Sequence, residues 1–258
     1  MGSVCRHRRL RAATEGEEVA ADGVGKVHVL EQLRCFGDER NKGFCVHCGG
    51  RDETVDHVPP KVFLEEPYPE NLMASPACRQ CNNGLSVDEE YLACLLECVV
   101  VGEADPTQLR PKIAHVLGRS PGLLTRLQQA RSDAGGMPVW AVENDRARNV
   151  VLKLARCHAA FELNEPQLGE PDFVSFKPLP LMTNEERAAF EGQDGDLERW
   201  PEVGSRAMQR LLVFGDNVFS EGWLVVQDGN YRFQVYQAPG MVVKMVIREY
   251  LACEVVWK

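Results

Sequence analysis

The chain of 258 residues has no apolar run of the roughly 18 to 20 residues that a membrane helix needs; the longest candidate, Leu92 to Val101, is broken by Glu97. A secretory signal is missing as well. The arginine-rich start, Met1 to Arg11, is followed by a small and acidic stretch, Ala12 to Gly25, rather than an apolar core and cleavage site, so nothing predicts export. Positive charge is in deficit. A net charge of −9 argues against wrapping long nucleic acid on a broad basic face. It leaves room for a small site that meets a phosphate backbone through a divalent cation and a few local Lys or Arg side chains. The one basic cluster, Arg6, His7, Arg8, Arg9 and Arg11, reads first as a solubilising tail and second as a phosphate grip. Internal repeats and long low-complexity blocks are also lacking.

What is present divides by composition into three regions. Residues 1–40 form an N-terminal segment, partly disordered, with one short helical pattern from Val27 to Phe36. Residues 41–101 are rich in Cys, Pro, Asn and Gly before resolving into a strong helix. Ser86 and Glu89 are spaced as a capping box that opens it, and Tyr91, Leu92, Leu95, Leu96 and Val99 mark its apolar face, with Gly102 to Pro106 as the stop. Residues 102–258 begin with two short helices between Leu109 and Arg131, split at Ser120-Pro121-Gly122, and a longer one from Asp145 to Leu163. Strand patterns follow at Trp223–Gln227, Tyr231–Gln237, Met241–Ile247 and Leu251–Trp257, the first two joined by the turn signal Asp228-Gly229-Asn230, which predicts an antiparallel meander. The expected class is α+β.

Ten cysteines in a short exported chain would suggest a disulfide scaffold, but four of these fall in two Cys-x-x-Cys pairs. Cys45-Val46-His47-Cys48 and Cys78-Arg79-Gln80-Cys81 are separated by 29 residues, a spacing at which two knuckles close a tetrahedral four-thiolate zinc site. A reducing cytoplasm is the expected setting. His47 sits inside the first knuckle, but four thiolates complete the site, so it is expected to face solvent. Cys94 and Cys98 share a helix face as small buried hydrophobes. Cys5, Cys35, Cys157 and Cys253 show no partner pattern, and His115 and His158 read as packing or surface residues.

Between the knuckles, Thr54-Val55-Asp56-His57-Val58-Pro59-Pro60-Lys61 sets a carboxylate beside an imidazole, Glu70-Asn71-Leu72 follows, and Asn82 comes immediately after the last cysteine. In this order the segment from Phe44 to about Tyr91 resembles the HNH, or ββα-metal, endonucleases of the zinc-knuckle type. The resemblance implies a small zinc-stapled ββα module followed by a mixed helical and antiparallel-β region that decides the substrate. Asp56 and His57 then lie on a β-hairpin, Asn71 in the loop, and Asn82 at the opening of the helix. Leu85, where many members have Lys, and the short loop between Cys48 and Asp56 depart from the usual pattern.

The chemistry suits those residue types. Asp56 and the amide oxygen of Asn82 are hard ligands for Mg²⁺ or Mn²⁺, whose shell is completed by water and phosphate oxygens. His57, with an ordinary pKa near 6.5, takes a proton from the attacking water. Asn71 orients His57. Asn83 competes with Asn82 by one residue of register, and Lys61 and Arg79 read equally as phosphate contacts or as solvated surface charge. The expectation is a metal-dependent endonuclease acting on nucleic acid, most simply DNA, with 5′-phosphate and 3′-hydroxyl products; the other class is a non-catalytic zinc module that binds nucleic acid or protein.

Overall fold

The computed structural model describes residues 43–69, 72–192, 222–237 and 240–258. The basic cluster at Arg6–Arg11, the helical pattern Val27–Phe36 and Asn71 lie outside the described residues.

Local structure begins with a strand, β1 (Thr54–Val58), rich in β-branched residues. Alternation decides its faces: Asp56 and Val58 are buried, while Val55 is exposed and His57 half-buried. It pairs antiparallel with β2 (Met73–Ala77), Asp56 opposite Ser75 and His57 opposite Ala74. The connection carries a 3₁₀ turn, Lys61–Phe63, which drives the Phe63 ring into the core.

From β2 the chain enters helix α1 (Arg79–Val101) almost at once. Its cap is Cys78, whose sulfur accepts the N–H of Cys81, so the helix is capped eight residues before the Ser86 position that the sequence pattern selects. Ser86 is interior and its hydroxyl donates back to the Asn83 carbonyl at 2.8 Å, the usual use of serine within a helix. At the other end Gly102, with φ of 86°, takes the left-handed conformation that ends helices at glycine and donates to the Cys98 carbonyl.

Helices α2 (Pro111–Arg119) and α3 (Pro121–Ala130) each begin with proline, whose missing N–H costs nothing in a first turn. A small hairpin unforeseen in the sequence follows, β3 (Arg131–Ala134) and β4 (Met137–Trp140), closed by Gly135 and Gly136 with φ of 62° and 82°. Two successive positive φ values make the primed turn that suits strand twist. Helix α4 (Asn144–Glu162) then packs against α1, with Val150, Val151, Leu154 and Cys157 in the same core as Tyr91, Leu92, Leu95 and Leu96.

The C-terminal sheet is fully antiparallel, with β5 (Phe173–Pro178) at one edge beside β9 (Leu251–Trp257), then β8 (Met241–Ile247), β7 (Tyr231–Gln237) and β6 (Leu224–Gln227). The expected meander is there; β5 is an addition with too little apolar alternation to be read beforehand. Every residue of the central strand β8 is buried, because α4 covers one face of the sheet and α5 (Asn184–Glu191) the other. α5 holds a true capping box, Thr183 with Glu186. One hydrophobic cluster runs from Val46 through α1 and α4 to Trp257, so the sheet and the cysteine-rich segment share a core. The protein is α+β, and among the described residues no helix is long and apolar enough to cross a membrane.

Leu154, fully buried between these layers, sets the scale of core packing. Leu154→Ala is expected to lower the unfolding free energy by about 2–5 kcal/mol. Val87→Ala, at a position 59% exposed, should change it by less than about 0.5 kcal/mol, both read by chemical denaturation.

Candidate metal centre

The first knuckle folds because Cys45 N–H donates to Gly50 O at 2.6 Å and Gly49 N–H to Cys45 O at 2.9 Å, curling the chain round its own sulfurs. Val46 N–H reaches Pro76 O at 3.1 Å, which fixes the knuckle to β2. The second knuckle is the N-terminus of α1. Backbone N–H groups point at sulfur in both, Gly50 to Cys48 Sγ at 3.4 Å and Cys81 to Cys78 Sγ at 3.3 Å.

The four thiols of Cys45, Cys48, Cys78 and Cys81 lie within 4.8 Å of one another, close enough to hold a metal ion. Cys48 Sγ and Cys78 Sγ are 3.8 Å apart, unbonded, and about 3.8 Å is the edge of a tetrahedron with metal–sulfur bonds of about 2.3 Å. The Cys81 N–H draws the Cys78 pKa down to about 7, while burial, reinforced by the neighbouring thiols, pushes that of Cys81 up. A cation at this centre would displace the thiol protons, so acid would compete with metal there.

A second cluster, wholly buried, stands behind the knuckle. His47 is only 7% exposed, contrary to the expectation of a solvent-facing ring. The reason is α4: the ring Nε2 lies 3.4 Å from Asp56 Oδ2 and 3.8 Å from Cys157 Sγ, and Arg156 donates to the His47 carbonyl at 3.2 Å. His47 Nδ1 is buried without a hydrogen-bond partner among the described residues. Asp56 is 5% exposed, and Lys153, whose side chain has no contact with solvent, places its ammonium 2.8 and 2.7 Å from the two carboxylate oxygens and also against Glu89 of α1. Burial, then the Asp56 charge, raises the Cys157 pKa and keeps it a thiol when no cation is near.

Asp56 and His57 therefore occupy opposite faces of β1, the carboxylate directed at α4 and α1, the imidazole at the half-exposed side with Val55. Asn82, in the first turn of α1, is brought onto the same strand, its amide donating to Thr54 Oγ1 at 3.4 Å and Val55 O at 3.3 Å. The adjacent Asn83 is exposed. Lys61 lies over the Tyr68 ring at 5.3 Å, with Lys112 on the same ring at 4.6 Å, and Arg79 is exposed. His158 is a packing residue, stacked on Phe233 and bonded to the Tyr231 hydroxyl at 2.7 Å. Lys153, Glu89, Cys157 and His47 are what the sequence reading missed. The signal was there in part: Lys153 lies three residues after Val150 and four before Cys157 on a buried helix face, where a charge requires a partner.

Fold and site define an α+β protein with four cysteines, close enough to hold a metal ion, at the junction of a β-hairpin and a helix. No known protein family, curated protein or solved structure matches the chain.

Two outcomes follow from the geometry. Cys78→Ser should lower the metal content of the purified protein by one equivalent per chain in elemental analysis, with a fall in melting temperature. Lys153→Ala leaves two buried carboxylates without their cation and is expected to cost about 3–5 kcal/mol in denaturant unfolding.

Proposed function

We propose that the chain is an endonuclease of the HNH, zinc-knuckle kind, hydrolysing phosphodiester bonds in nucleic acid, most simply DNA, in a reducing cytoplasm. The observation that carries the reading is the order hairpin then helix, β1, β2 and α1, with cysteines before the hairpin and at the helix start gathered into one cluster. On that frame the Asp-His strand and the Asn82 turn touch. Four thiolates are the donor set of a structural Zn²⁺. His57 is the general base, placed on the half-exposed side of the strand. Asn82, its amide nitrogen spent on the strand, keeps its side-chain oxygen as a hard donor. A Mg²⁺ or Mn²⁺ ion, when bound, would supply charge stabilisation at the scissile phosphate.

Asp56 as folded does not fit that ion. Its carboxylate faces away from His57 and is met by Lys153, His47 and Cys157, which are not the oxygens and waters that Mg²⁺ requires. This same contact favours the second reading, a non-catalytic zinc module for nucleic-acid or protein binding, in which Asp56 only ties the hairpin to α4.

Plasmid cleavage with Mg²⁺ or Mn²⁺ separates the two. His57→Ala should reduce the cleavage rate at least about a hundredfold, as removal of a general base does. Lys61→Ala should cost less. Equal activity in wild type and His57→Ala, with both folded by circular dichroism, would discard the nuclease mechanism and leave the binding module.

A further inference from the structure

We propose that His47, Asp56 and Cys157 form a second metal site, one that takes a borderline divalent ion such as Zn²⁺ and joins the first knuckle, β1 and α4. The inference does not depend on nuclease activity. It starts from three donor atoms, His47 Nε2, Asp56 Oδ2 and Cys157 Sγ, all within 4.8 Å of one another and all from buried side chains. The separations of 3.4 Å and 3.8 Å from nitrogen to oxygen and to sulfur match edges of a tetrahedron built on bonds of about 2.0–2.3 Å. Mixed N, O and S donors select Zn²⁺ over Mg²⁺ or Ca²⁺. Three protein ligands leave the fourth position to water.

Lys153 bridges the Asp56 and Glu89 carboxylates beside the cluster, and Arg156 is spent on the carbonyls of His47, Leu168 and Gly169. A divalent cation entering the cluster displaces the Cys157 thiol proton to solvent. His47 coordinates in its neutral form through Nε2, with the ring proton on Nδ1. Lys153 remains in place, because each carboxylate oxygen has two lone pairs and Oδ2 can accept from the ammonium and coordinate as well. Hydrogen bonding to a ligating carboxylate is the ordinary support for such sites.

The test is metal stoichiometry on the full chain loaded with Zn²⁺ and freed of loose ion. Two equivalents are expected for wild type and one for Cys157→Ala. Zinc X-ray absorption of the wild-type protein needs no variant and should show nitrogen and oxygen scatterers near 2.0 Å beside the sulfur shell at about 2.3 Å. A single equivalent with a sulfur-only shell overturns the proposal. So does a second equivalent that persists in Cys157→Ala, since the ion would then lie elsewhere. Neither result bears on plasmid cleavage by His57, so failure here and failure of the nuclease reading are told apart.

Discussion

A lysine ammonium shut away from water must be met by carboxylates, and in this chain meeting it determines where three elements come together. Lys153 leaves α4 inside the core and is received by Asp56 from β1 and Glu89 from α1. Desolvating three charges is costly, and the attraction between them offsets that cost only when the geometry is tight. The contact therefore tolerates little sliding of α4 over the hairpin. The apolar packing around Leu154, Tyr91 and Leu92 supplies the bulk of the stabilisation but is less directional, since hydrophobic contact is indifferent to small changes of register.

The knuckle depends on the same junction. His47 is held between Cys45 and Cys48 in sequence and between Asp56 and Cys157 in space, so the segment that presents two sulfurs is anchored at its back to α4. The second pair of sulfurs is anchored differently, through the N-terminus of α1, where Cys78 caps the helix and also stands in the four-cysteine cluster. A cation at the four thiols would thus connect the start of α1 to a loop already fixed to another helix.

Much of this was legible in the sequence. The two Cys-x-x-Cys pairs, the two short helices at Pro111 and Pro121, α4 and the four C-terminal strands all follow from spacing and periodicity, because each is decided locally. What escaped was decided at a distance. The Ser86 box looks like a helix start, yet the true start lies at Cys78, where a sulfur does the capping that oxygen usually does. β5 is a strand because β9 offers it an edge, not because its residues demand it. Cys157 has no partner in any sequence window, its neighbours being 110 and 101 residues away.

The division of labour across β1 is the further consequence. A strand sends adjacent side chains to opposite faces, so an Asp-His dipeptide cannot set both groups in one pocket unless the strand is distorted. In this chain β1 pairs without a bulge, His57 opposite Ala74 and Asp56 opposite Ser75. The two residues are therefore parted: the imidazole stays on the side of Val55, and the carboxylate goes to the buried cluster with His47, Lys153 and Cys157. A motif that looks like one site in the sequence is divided by the pleat into a half-exposed face and an inner face, where charge must be neutralised for the fold to stand.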